Sequence, residues 1–284
     1  MPVSDAITRL VLPSPALASC VSCFIERNTV GTALLDSDRY SHYPATPLCS
    51  IGWWWVGTAH YLTPGHPAED ASPRQAAAGR VVLTGPHTRP SISWNPGPAH
   101  GVMMMLHPEA FAAVTGIATG QLLNQSVCAY THLGAAWGGL WEHVLAEPDL
   151  SRAQSLIEPF LLSLWSARPT SHARPLREWL QHLAHVAWHS DRGRSLRQME
   201  RRIKQWTGQS HRDLHVLARA ETAFLRLMAQ HPEPVNWAEA AVDCGYADQS
   251  HLGRTARRVT GFSPESLRRR MWTEEPFWMY RLWS

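Results

Sequence analysis

One pattern of cap, apolar stripe and terminator occurs twice in the last third of this sequence, 53 residues apart. In the downstream copy Asp248 precedes Leu252, Ala256 and Val259, which share one helical face, and Gly261 ends the run. In the upstream copy Ser195 precedes Met199, Ile203 and Trp206, and Gly208 ends it. A short polar side chain just ahead of an apolar-periodic run accepts hydrogen bonds from the free amides of a first helical turn. Gln198, three residues after Ser195, completes a capping box. A glycine just past the stripe takes the positive φ that closes a helix. The same shift places Arg201 under Arg254, Lys204 under Arg257, Thr207 under Thr260, Ser210 under Ser263 and Leu214 under Leu267. Chance does not keep caps, stripe and terminator in register together. Residues 171–284 are therefore expected to hold two copies of one supersecondary unit.

Around the downstream copy the unit can be read whole. Asn236 is a good cap with Glu239 three residues on, and Trp237, Ala240, Ala241 and Cys244 make the buried face of a short helix. Gly245 suits the left-handed position after it. The helix that follows leaves Gln249, Ser250, Gly253, Arg254 and Arg257 facing outward, and Ser263-Pro264 starts another helix with proline at its first position. A helix, a tight turn and a helix with an Arg/Gln face is a shape that enters a major groove. The order Gly245-Tyr246-x-Asp248-Gln249-Ser250-His251-Leu252-x-Arg254, then Arg257-x-x-Thr260-Gly261-x-Ser263-Pro264, resembles the C-terminal signature of AraC/XylS-type transcription regulators. Three positions depart from that pattern. Ala256 and Ile203 stand where the family places Phe, and His211 stands where it places Pro. Trp237, larger than the usual aliphatic residue, is a candidate to fill the space beside Ala256.

The resemblance implies two recognition helices joined by one long helix (213–230), set to reach successive major grooves roughly 34 Å apart. It assigns Arg197, Glu200 and Arg201 of the first recognition helix (195–206) to base edges, and Gln249, Ser250, Gly253 and Arg254 of the second. Arg suits this task because its fork pairs with guanine O6 and N7, and Gln pairs with adenine. Gly253 costs about 1 kcal/mol relative to Ala inside a helix. Close approach of backbone to DNA would account for that cost; loose packing is the plain alternative. Arg202, Lys204, Arg257 and Arg258 are better placed for phosphates, which position a protein without reading sequence.

Charge follows the same division. Residues 1–170 hold 8 Arg against 11 acidic residues, a net −3, whereas residues 171–284 hold 18 basic against 12 acidic residues, a net +6. The basic half coincides with the repeat, as a phosphate-binding surface requires. There is no leader-like segment and no run approaching the roughly 20 apolar residues that span a bilayer. Five cysteines are an odd number, which argues for a reducing compartment, the cytoplasm, over a disulfide framework.

The first 170 residues read as a separate, mixed domain. Short apolar runs at 49–57, 79–84, 90–94 and 101–106 lie between Pro and Gly punctuation and suggest the strands of a barrel or sandwich. Helical periodicity follows over 108–115, 133–146 and 151–167. The Pro-rich stretch 168–175 is the expected linker, and 176–189 opens the second domain, with a turn at 191–194. The expected fold is thus α+β: a β-rich, barrel-like domain with a helical segment, then an all-α domain of two helix-turn-helix subdomains. The aromatic tail 276–283 is expected to pack on the DNA-binding domain or on a partner.

Other chemistries find weaker support in the residues. Cys20-x-x-Cys23 has zinc or redox spacing, yet one such pair is half a tetrahedral site, and two small buried residues explain it as well. No H-x-H pair occurs, so His60, His66, His100 and His107 read as ordinary surface or core histidines. Trp53-Trp54-Trp55 must point to both faces of a strand. Trp53 and Trp55 would line an effector pocket or, more plainly, fill the core. No catalytic triad, phosphate-cradling Gly loop or paired-carboxylate motif is present, so neither enzymatic activity nor a cofactor is expected. The resemblance implies double-stranded DNA, a small-molecule effector and a second copy of the chain as partners, with RNA polymerase a further candidate. The rival reading is a metal- or redox-active N-terminal domain fused to a DNA-binding module.

Overall fold

The computed structural model describes residues 5–69, 71–165, 175–189, 195–229 and 233–282. Residues 168–174 of the expected linker (168–175) and the turn at 191–194 lie outside the described residues. Strands β1 (Ile7–Val11), β2 (Val21–Asn28), β3 (Tyr40–Tyr43), β4 (Cys49–Val56), β5 (His60–Leu62), β6 (Arg74–Ala76), β7 (Val81–Thr84), β8 (Ser91–Trp94), β9 (His100–Leu106) and β10 (Ser126–Cys128) form two antiparallel sheets. One runs β1-β2-β9-β4-β7-β10 and the other β3-β8-β5-β6. No ladder closes them into a barrel among the described residues.

Alternation along the strands divides the larger sheet into two faces. Phe24, Met104, Ile51 and Trp53 point to one side, into the main core. Cys23, Ile25, Met103 and Met105 point to the other. Helices α1 (Pro108–Thr115), α2 (Ala129–His132), α3 (Ala135–Ala146) and α4 (Leu150–Leu164) follow the strands. Phe111, Trp137, Trp141, Ile157 and Leu161 from these helices fill the main core. Asp149 caps α4 by accepting from the Arg152 amide at 2.9 Å.

Six of these strands, β1, β2, β3, β5, β6 and β10, had no counterpart among the apolar runs read from the sequence. Polar residues interrupt them, and only pairing makes those residues tolerable. Glu26, 3% exposed, lies 2.9 Å from His100 Nε2 and 3.0 Å from Arg9 Nε across adjacent strands.

The second half is all helical among the described residues: α5 (Leu176–His189), α6 (Leu196–Thr207), α7 (His211–Met228), α8 (Trp237–Asp243), α9 (Gln249–Thr260), α10 (Pro264–Thr273) and α11 (Trp278–Arg281). Trp179, Leu183, Met199, Ile203 and Leu214 make the core of the first subdomain. Leu227, Met228, Ala240, Leu267, Met271 and Phe277 make that of the second. The 18-residue α7 runs from one to the other.

The aromatic tail does more than cover its own domain. Phe277 joins the second subdomain's core, whereas Trp278 and Met279 pack on Cys23 and Ile25 of the sheet. Trp278 Nε1 donates to Ser41 Oγ at 2.8 Å. Glu275, 3% exposed, pairs with Arg27 of β2 and with Arg281, the latter at 2.8 Å. The tail is a latch between the two halves.

Candidate nucleic-acid interface

Local chemistry builds both recognition helices alike. Ser195 accepts from the Gln198 amide at 3.3 Å, with the Gln198 side chain returning to the Ser195 amide at 3.2 Å. Asp248 accepts from the His251 amide at 2.7 Å. At the far ends Gly208 and Gly261 sit at φ 72° and φ 86°, the left-handed region that a Cβ disfavours. Thr207 and Thr260 each accept from the amide two residues on, at 3.1 Å in both copies. Ser210 and Ser263 then cap α7 and α10. α6 and α9 begin and end 53 residues apart, as the repeat predicts. Gly245 takes φ 76° at the turn between α8 and α9.

These helices bury one stripe and expose the opposite face. Met199, Ile203, Leu252 and Val259 are buried, and Ala256 is half-buried. Arg197, Glu200, Arg201 and Lys204 are exposed on α6. On α9, Gln249, Ser250, Arg254, Arg257 and Arg258 are exposed. Every assigned base-reading side chain is therefore open, and all lie in the N-terminal halves of their helices. Gly253 is shielded, with only Arg257 Nη1 within 4 Å of where a Cβ would stand, at 3.6 Å. Trp237 touches both cores of its subdomain but leaves a hollow of about 300 Å³ beside Leu252, Gly253 and Pro264.

One expectation needs correction, and two further assignments are narrowed. Arg202 is 6% exposed and donates through Nη1 to the Ala187 carbonyl at 2.6 Å, so it braces α5 against α6 and offers no charge to a phosphate. The turn of α6 carries it inward beside Ile203. Arg258 is exposed but already paired with Asp213. Ser210 first, and then Arg258, hold the Asp213 carboxyl below its ordinary value. Trp53 and Trp55 serve the core: Trp53 is 1% exposed against Trp141, and Trp55 Nε1 donates to the Val144 carbonyl at 2.7 Å. The short strand alternates Trp54 to the opposite side.

The cysteine pair is split. Cys20 lies in the main core and Cys23 on the other face of the sheet, so one ion cannot reach both. Burial pushes both thiols up to about 12, away from the thiolate that metal binding or redox exchange requires. Among the described residues no group of three or more His, Cys, Asp or Glu is placed to hold a metal, and no helix is long and apolar enough to cross a membrane.

Residues 191–270 match a family model described as a helix-turn-helix domain. No curated protein matches the sequence. Among solved structures the chain is similar to ToxT from Vibrio cholerae O395, at 11% identity over 83% of this chain and 95% of that one, with a TM-score of 0.39. It is also similar to the P21 form of ToxT from Vibrio cholerae, at 9% identity over 81% and 94%, with a TM-score of 0.40. A third is unsaturated fatty acid-bound ToxT from Vibrio cholerae strain SCE256, at 12% identity over 81% and 94%, with a TM-score of 0.36.

Proposed function

We propose that this chain, whose residues 191–270 match a helix-turn-helix family model, is an AraC-type regulator that binds double-stranded DNA sequence-specifically. In this reading α6 and α9 enter two neighbouring major grooves and so control transcription. Arg197, Glu200 and Arg201 read one half-site, and Gln249, Ser250, Gly253 and Arg254 read the other. Lys204 and Arg257 hold phosphates. The observation that carries the reading is the repeated unit, with a capping side chain at each start and a left-handed glycine at each end, and with its polar side chains open in the same helical turns.

The N-terminal domain is assigned effector sensing and the pairing of two copies. The exposed Leu162 and Leu164 at the end of α4 support the pairing role. An effector acts by binding one arrangement of the molecule more tightly than another. RNA polymerase is the further partner at a promoter, the cytoplasm the compartment, and no catalytic step is assigned to the chain.

Selection of binding sites from random DNA, followed by salt titration, tests this. Arg254→Ala is expected to relax base preference at one half-site by about 1–3 kcal/mol. Lys204→Ala is expected to weaken all sequences alike and to reduce the salt slope by about one. Equal losses on selected and random DNA for both variants would refute the division of roles.

A further inference from the structure

The two recognition helices meet the N-terminal domain at the same point of the repeat. Trp206 and Val259 are equivalent residues in the last turns of α6 and α9. Carbonyls there have no partner within their own helix and must find one elsewhere. Thr119 Oγ1 donates to the Trp206 carbonyl at 2.9 Å, and the Ala45 amide donates to the Val259 carbonyl at 2.7 Å. The equivalent terminators are seated as well. A Cβ on Gly208 would come within 3.0 Å of Gly120 Cα, and one on Gly261 would lie 3.7 Å from Pro90 Cγ. The first approach is tight, and a side chain on Gly208 would have to push Gly120 back by a few tenths of an ångström.

One short loop touches both units. Ala45 and Thr46 lie between β3 and β4, flanked by Pro44 and Pro47, whose rings limit the backbone on either side. Thr46 is anchored to its own domain by paired 2.9 Å hydrogen bonds with His87. Its carbonyl accepts from Gln209 Nε2 of the first unit at 3.4 Å. Ala45 packs against Leu217 of α7 and Val259 of α9, all three 6% exposed. The loop thus sits in the seam between α9 and the residues that follow α6.

We propose that the Ala45–Thr46 loop, with Thr119–Gly120, fixes the distance and rotation between the two recognition helices and so makes the protein selective for the spacing between its half-sites. This rests on the DNA-reading function proposed above. α7, about 27 Å long at 1.5 Å per residue, carries both units, with Asp213 of its first turn paired to Arg258 of α9 and Leu217 packed on Val259. Attachment of each unit to the N-terminal domain as well restricts the bending and rotation that α7 leaves open. A pair held rigidly meets a wrongly spaced site only by deforming the DNA, whereas a pair free to swivel does not. The attachments lie at the C-terminal ends of α6 and α9, opposite the reading residues. They therefore constrain geometry without covering the DNA-facing side chains.

The test uses the full chain and a DNA library in which selected half-sites are separated by varied numbers of base pairs. Wild type is expected to lose about tenfold in affinity per base pair inserted or removed. Thr119→Val combined with Gln209→Leu removes two side-chain bonds with little change in volume, and Ala45→Arg forces the seam apart. Both are expected to flatten the spacing profile to under about threefold per base pair while keeping the base preferences of each half-site. Hydrogen exchange at 206–209 and 257–261 verifies that the attachment has loosened, and retained melting cooperativity verifies folding. An unchanged spacing profile in a folded, loosened variant overturns the proposal, leaving α7 and the C-terminal latch as the determinants. Should Ala45→Arg fail to fold, the Thr119→Val/Gln209→Leu variant decides alone. Failure of wild type to select any half-site overturns the DNA reading itself, and this inference with it.

Discussion

Replacing Gly253 by Ala separates the demands of the helix from those of the groove. Gly253 lies inside α9, where glycine costs about 1 kcal/mol relative to alanine because the unfolded chain has more freedom to lose. A Cβ there would meet only Arg257 Nη1, at 3.6 Å, an ordinary contact with the end of a flexible side chain. The hollow beside it leaves further room. Packing therefore does not require the glycine, and Gly253→Ala is expected to stabilise the protein by about 1 kcal/mol, raising the melting temperature by roughly 2–4 °C. If backbone approaches the bases at this turn, the same methyl collides with DNA. A crowded contact of that kind costs about 1–3 kcal/mol, a loss of roughly 5- to 150-fold in affinity. Calorimetry and quantitative binding to a selected site measure the two effects on one sample. A more stable variant that binds DNA as well as wild type would refute the close-approach argument. A less stable variant would refute the reading of the space around Gly253.

Further expectations follow from buried charge. Burial pushes the Glu221 carboxyl up to about 7, against the opposing pull of the Leu176 amide, which donates to it at 2.8 Å. Its folded value is raised, so the proton favours the native state. That contribution is full below the ordinary carboxylate range and is lost as pH rises through about 7. Glu221→Gln should flatten the decline, by up to roughly 3 kcal/mol between pH 5 and 8 in urea unfolding; parallel curves for both proteins would count against it. Arg202→Ala should destabilise by about 1–3 kcal/mol, leaving the Ala187 carbonyl unpaired, yet leave the salt slope of DNA binding unchanged. A reduced slope would restore Arg202 to the interface. Glu275→Ala should cost about 3–5 kcal/mol in chemical denaturation because it removes the buried counter-charge that Arg27 and Arg281 share in the latch.

How much of this was legible in the sequence depends on the range of the forces involved. Caps and terminators act within four residues. Ser195, Asp248, Gly208 and Gly261 therefore announced α6 and α9, and the 53-residue shift announced their kinship. The runs at 49–57 and 101–106 announced strands because a two-sided apolar strand reads as unbroken hydrophobicity. β1 and β2 escaped that test, since Glu26 is acceptable in a core only once β9 brings His100 beside it.

The sequence by itself therefore determined the repeated unit, its boundaries and its outward polar face, all products of backbone chemistry between near neighbours. Tertiary structure alone decided that Arg202 turns inward, that Trp53 and Trp55 pack against α3, and that the tail bridges both halves. It also decided that one loop near residue 45 grips helices more than 150 residues away. These outcomes rest on contacts such as Trp278 with Ser41, 237 residues apart. No local pattern encodes such a contact, because each partner's burial is set by the other's arrival.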